Sequence, residues 1–471
     1  MSNMSNHYPA GAPRIAIIGA GMAGCSAAYF LREIFGDELA IVVFEKAQQV
    51  GGRVQRRAFA GTAIETGATL IHSSNTYLST FIENLGLQRA RPHNREDSKA
   101  SALGIWNGTA FAFQSLPSSW ATTVRMLARY RLAPLRTRAL VRSMLERWTR
   151  IYELQQQQRA YATPRAMFEA LDLFPWTQQA SYTMFQQNRI SRRFVDEFID
   201  GVSRVNYGQD GTIHAFVNLT SLVGAGLGGG ELFSVQGGNA QVCERLLSQA
   251  RVEMRTQTAV ESIGAIDDPA QNRRRYAIET EQQREQGFDG VILATPLELA
   301  TIQLDSLAEW SPEYAKRPYQ VTHATFVAGQ LSPGYFGQKS RSPLPDTILT
   351  TERHGLPFSS IGRVGYSPTL DLPIYKVFSR EPLDDELIGR VFARPAETTR
   401  VSWHAYPVLK PTAQWPPFRI AHGLYYANAM ESAVSTMETE VVASRNVVQL
   451  LAQDICSASG VGTMGARQVR I

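Results

Sequence analysis

A short apolar strand running into Gly-x-Gly-x-x-Gly and a helix, two apolar strands that return far down the chain, and a helix-then-strand stretch between them predict an α/β protein. The expected architecture is a Rossmann-type dinucleotide domain joined to a second, α+β domain. The chain has 471 residues, which suits two or three domains. It is 44% hydrophobic and 19% charged, which excludes a disordered or fibrous chain.

Ile15-Ala16-Ile17-Ile18 has the apolar run of a strand buried on both faces. Gly19-Ala20-Gly21-Met22-Ala23-Gly24 follows at once, and a helical stretch runs from Cys25. Gly19 suits a tight turn, Gly21 a close approach of backbone to a pyrophosphate, and Gly24 the packing of helix on strand. The helix N-terminus presents free N–H groups to phosphate. Ala40 to Phe44 forms a second strand ending in Glu45, placed to accept from ribose hydroxyls. Gly51-Gly52-Arg53 adds another close approach and a cation for phosphate. Gly67 and Ala68 are small enough for backbone to lie along an isoalloxazine ring. These additions favour FAD over a nicotinamide cofactor.

Val235 to Asn239 turns into an amphipathic helix, Val260 begins a strand expected at the cofactor, and Phe288 to Pro296 reads as another buried strand. Leu424 to Glu431 leads to a last helix in which Ser435 and Glu438 have capping-box spacing and Met437 lies at the first turn. That helix start is expected to face the flavin. The FAD-binding domain is therefore expected in three parts, residues 13–90, 235–300 and 415–471. The substrate domain is expected over 91–234, mainly helical, and 301–414, mainly strands. The three cysteines, Cys25, Cys243 and Cys456, lie away from Leu424 to Glu431, so the FAD is expected to be non-covalent, and no metal cluster is expected.

The net charge of +5 is local. Eight Arg and one Glu lie between Arg125 and Arg150, and the rest of the chain is slightly acidic. Leu140, Val141, Met144, Leu145, Trp148, Ile151 and Tyr152 recur at helical spacing within and just beyond it. Two readings stand: peripheral membrane contact through 125–150, or the solvated outer face of a helical domain. No groove-reading motif supports nucleic acid as a partner. The polar N-terminal residues predict a cytoplasmic protein.

The sequence resembles the prenylcysteine oxidase (prenylcysteine lyase) family, within the amine-oxidase-like two-domain flavoproteins. Shared motifs include GAGMAG (19–24), VGGR (50–53), ETGATLIH (65–72), RVNYGQ (204–209), AYPVLKP (405–411) and YYANAMESAVSTME (425–438). The resemblance implies FAD-dependent oxidation of the carbon next to sulfur in a prenylated cysteine or a similar apolar thioether. Its products are an aldehyde, a free thiol and, with dioxygen, hydrogen peroxide. Related amine oxidases point to Lys376 as a holder of water near the flavin, with a solvent-facing strand lysine as the alternative; His404, in Trp403-His404-Ala405-Tyr406, is a candidate to activate water or orient the substrate. Glu431 is expected at the flavin, and Arg204, Asn206 and Tyr406 at the substrate. An amine oxidase or isoprenoid desaturase on the same scaffold, and a non-catalytic FAD-stabilised binding protein, are the competing expectations.

Overall fold

A computed structural model describes residues 12–90, 103–268, 273–305, 310–339, 343–351 and 355–458. Five parallel strands and an antiparallel edge form a six-stranded sheet. The order is Glu253–Arg255, Ala40–Phe44, Arg14–Ile18, Gly290–Leu293, Leu424–Tyr426 and Arg419–Ala421. Its central strands are covered on both faces, which is why they read as unbroken apolar runs. The helix Met22–Phe35 packs between Ala240–Ala250 and the long C-terminal helix Met437–Ala458. Segments far apart in the chain thus build one nucleotide-binding layer. A separate four-stranded sheet, Val260–Asp268 with Arg273–Thr280, Arg284–Phe288 and Gln303–Asp305, flanks it.

The second unit is a seven-stranded sheet. Its order is Glu397–Pro407, Tyr319–Ala328, Leu372–Ser379, Ser360–Ser367, Thr347–Thr350, Leu103–Trp106 and Phe111–Gln114. The last two strands come from the segment expected to be mainly helical. One sheet face carries Val327, Ile361 and Val377 against the helix Asp385–Val391. The other carries Ala324, Phe326 and Ile374 against Phe59 and Ile64 of the hairpin Arg56–Phe59/Thr62–Glu65. That second face meets the nucleotide-binding unit.

Helices from Ser119 to Gly224 complete the second unit. The apolar stripe of the basic segment is interior: Val141, Met144, Trp148, Ile151 and Tyr152 are all buried. It cannot be the surface that meets a membrane, as one reading of the sequence had it. Several arginines there are tied within the protein. Arg129 makes a two-pronged ion pair with Glu197, and Arg147 and Arg150 both hold Asp172.

Candidate active site

Backbone alone shapes the dinucleotide turn. Gly19 leaves the strand at φ +105°, and a Cβ there would lie 2.6 Å from the Ala294 carbonyl oxygen. A Cβ on Gly24 would lie 1.9 Å from the Gly19 oxygen, so helix and strand meet only without side chains. Gly21 pairs with Gly51 as an isolated bridge, and the Gly51 N–H donates to Ala20 at 2.8 Å. A Cβ on Gly52 would come within 3.2 Å of the Gly21 Cα. Glu45 is pinned by the N–H groups of Ala20 and Ala47, each at 2.8 Å. It opens onto a cavity shared with Gly19, Thr258, Val260 and Thr295.

Further along, Gly67 sits so close to Arg53 that a Cβ would lie 1.9 Å from the Arg53 oxygen, and the Ala68 N–H donates to that oxygen at 3.3 Å. At the start of the C-terminal helix, Asn428 Oδ1 and Glu440 Oε1 are buried with no partner in the protein. A cavity beside Glu45, a glycine-lined track and buried polar atoms left over for a ligand fit FAD. Glu45, Gly19, Gly21 and Val260 would hold its dinucleotide part, with Gly52, Gly67, Ala68 and Met437 nearer its ring system.

Charges occupy the far end of this track. The Arg53 guanidinium donates to the Ala405 carbonyl at 2.9 Å and forms an ion pair with Glu431. Glu431 is fully buried and also accepts from the Tyr319 hydroxyl and from Asn428 Nδ2. Burial would raise its carboxyl, but Arg53, with the Arg53 and Tyr319 hydrogen bonds, outweighs that and holds it below the usual range. Arg53 thus ties the nucleotide domain to the substrate sheet, and Glu431 gathers Arg53, Tyr319 and Asn428 around it. Arg317 repeats the device with Glu298 and Ser432.

The expected capping box is displaced. Thr436 and Thr439 cap the last helix, with Thr439 N–H donating to Thr436 Oγ1 at 3.1 Å and Thr436 N–H to Thr439 Oγ1 at 3.0 Å. Glu438 instead accepts from Tyr77 N–H at 2.9 Å and Leu78 N–H at 3.0 Å, capping the helix Thr76–Asn84. Burial pushes its carboxyl up to about 7 despite the Leu78, Tyr152 and Tyr77 hydrogen bonds.

Lys376 lies on the sheet face that meets the nucleotide domain, between Ile374 and Phe378 on the same strand face. It is 6% exposed, and its Nζ lies 3.3 Å from the Glu65 carbonyl and 3.4 Å from that of Gly67. The ammonium stands 4.6 Å from the Phe378 ring centroid and 5.5 Å from that of Phe326. Burial lowers its pKa to about 8, against the pull of the Glu65 carboxylate.

Strand register decides between His404 and Tyr406. Phe326 pairs with both Lys376 and Thr399, Thr322 with Trp403, and Gln320 with Tyr406, so all share the lysine's face. A β-bulge between Gln320 and Val321 pairs His404 with Val321 on the opposite face, where it is exposed. His404 therefore points away from Lys376 and cannot activate water beside it. Tyr406 stacks obliquely on Tyr207 at 5.0 Å, and burial raises its hydroxyl to about 12. Arg204 and Asn206 are also corrected. Arg204 is 4% exposed and donates to the Thr350 hydroxyl at 3.0 Å, while Asn206 donates to the Ser221 carbonyl at 3.0 Å. Both brace helices and strands and present no free donor set to a carboxylate. Tyr319, Arg317 and Tyr207 join the site without any motif around the first two to mark them.

Comparison with known proteins bears on the family and the fold. A family profile described as prenylcysteine lyase matches residues 113–460, and one for an NAD(P)-binding Rossmann-like domain matches 17–85. Farnesylcysteine lyase of Arabidopsis thaliana is 32% identical over 455 residues, covering 93% of this chain and 87% of that protein. Prenylcysteine oxidase 1 of Homo sapiens is 31% identical over 462 residues, covering 93% and 88%. Among solved structures, cyclohexylamine oxidase from Brevibacterium oxydans superposes with a TM-score of 0.61 at 16% identity, covering 94% of this chain and 99% of that one. A redesigned putrescine oxidase gives 0.60 at 15% over the same shares. At such identities these structures speak for the fold alone.

Proposed function

The chain belongs to the prenylcysteine lyase family, and from that membership we propose that it oxidises the carbon bonded to sulfur in a prenylated cysteine. It is an FAD-dependent oxidoreductase with a two-domain α/β fold. When bound, FAD supplies a two-electron acceptor for a hydride. Loss of hydride from an allylic C–H beside sulfur leaves a cation shared by the sulfur and the π-system. Water adds to that carbon with loss of a proton. The hemithioacetal then breaks its C–S bond, giving an isoprenoid aldehyde and the cysteine thiol. Dioxygen is the proposed final acceptor, with hydrogen peroxide as its product.

The protein's part is orientation, water control and one proton. A thioether has no proton to remove before the hydride leaves, so no strong base is needed and exclusion of water is the larger requirement. The lysine's sheet face is apolar around it, with Phe326 in the core and Phe378 and Trp403 partly exposed. Lys376, held at the Glu65 and Gly67 carbonyls and half-titrated near pH 8, can position water and take up its proton as it adds. Arg53 and Glu431 lock the nucleotide domain against this face through Ala405. The buried Lys376 beside Gly67 is the observation that carries the reading. Product analysis after incubation with farnesylcysteine in air tests it. One farnesal and one cysteine per substrate consumed are expected; oxidation of amines with farnesylcysteine left intact would contradict it.

A further inference from the structure

The helix Ser119–Tyr130 is amphipathic, yet of its residues only Tyr130 is buried. Trp120 and Val124, one turn apart, are 74% and 45% exposed. Across the bend at Arg131, Leu132 and Leu135 are each 53% exposed, and Leu116 precedes the helix at 38%. These five account for most of the large exposed apolar side chains among the described residues, so the feature is local. Such a cluster marks an interaction surface more often than an ordinary exterior.

Along this stretch of chain the charge has one sign, and Glu197, which reaches the helix from elsewhere, is spent on Arg129 and Tyr130. Six Arg and no acidic residue lie between Ser115 and Leu145. Arg125, Arg129 and Arg136 make hydrogen bonds within the protein. Arg131, Arg138 and Arg142 stand exposed alongside the apolar tips. A protein partner offers charges of both signs, whereas an anionic bilayer offers a uniform negative plane. Tryptophan is the side chain most at home at that boundary, with Leu and Val reaching beneath the headgroups.

We propose that the face formed by Leu116, Trp120, Val124, Leu132 and Leu135, rimmed by Arg131 and Arg138, docks on a bilayer surface bearing anionic headgroups. This is not the stripe within 140–152, which lies in the core, but the helix and bend that precede it. The inference stands without the substrate reading above. Together they would set the enzyme where a prenyl chain partitions.

Sedimentation of the flavin-loaded protein with phosphatidylcholine vesicles, with and without phosphatidylserine, tests it. Binding is expected only with phosphatidylserine and is expected to weaken as salt rises. Trp120→Ser with Val124→Ser, and separately Arg131→Gln with Arg138→Gln, should each cut vesicle partition about ten-fold with flavin absorbance unchanged. No binding by the unaltered protein, or binding by either variant as strong as that of the unaltered protein, overturns the proposal. So does lipid-free self-association that Trp120→Ser abolishes, because the face would then belong to a second copy of the chain.

Discussion

At the dinucleotide turn the protein makes room with backbone: Gly19, Gly24 and Gly67 each sit where a single added carbon would strike a carbonyl. At the other end of the same track it uses buried charge, with Arg53 on Glu431, Arg317 on Glu298, and Lys376 enclosed by aromatic rings. The first arrangement is insensitive to pH and intolerant of volume. The second depends on each buried or half-buried charge keeping its partner, and at Lys376 on its proton. Binding and chemistry therefore answer to different perturbations in this molecule.

The largest effect is expected at the backbone end. Gly24→Ala places its methyl 1.9 Å from the Gly19 oxygen, forcing helix and strand apart. A stability loss of about 3 kcal/mol and loss of bound flavin should follow, read from the flavin-to-protein absorbance ratio. Full flavin content would mean that the turn is not the cofactor's seat. Next comes Glu431→Gln, which leaves Arg53 without its counter-ion beneath the substrate sheet. Arg53 keeps 29% of its side chain exposed, so denaturant unfolding should show a loss of about 2 kcal/mol, and replacing both partners with Met should cost less than the single change. A single change as mild as a surface pair would show that water reaches this ion pair.

Lys376→Met should lower kcat/KM about 100-fold. In the unaltered enzyme the rate should rise with pH to a plateau above about 8, as the buried amine loses its proton and can accept one. That limb should be missing in the variant; its persistence would assign the ionisation elsewhere. Glu438 adds a stability effect of opposite direction in pH. Its carboxyl is raised to about 7 in the folded protein, so the folded state favours the protonated form. Stability should fall as pH rises from about 5 to about 7, by an order of 1–3 kcal/mol. Glu438→Gln should flatten the profile measured by urea unfolding. His404→Ala, on the sheet face away from the lysine, should change kcat/KM less than about two-fold. A large loss there would mean that the bulge is misread and that His404 turns inward.

The backbone end was legible in the sequence because glycine spacing, flanking strands and a terminal acid leave few other structures open. The charged end was not. Arg53 and Glu431 stand 378 positions apart, and only the fold shows that they meet. His404 and Tyr406 illustrate a subtler limit. Plain alternation puts both on one face, and the one-residue bulge that separates them leaves no local signature. Ser435 and Glu438 have the right spacing for a capping box, but Thr436 and Thr439 have it too, and the tertiary contact with Tyr77 and Leu78 decides which is used. The exposed helix before Arg131 was hidden for the reverse reason: periodicity reports an apolar face without saying whether anything covers it.

Anaerobic mixing of the flavin-loaded protein with farnesylcysteine tests whether the flavin takes hydride from a thioether carbon. Bleaching of the flavin absorbance with one equivalent of substrate, full recovery on admitting air, and peroxide in matching amount are expected. Flavin that stays oxidised with farnesylcysteine but bleaches with an alkylamine would contradict hydride transfer from a thioether carbon.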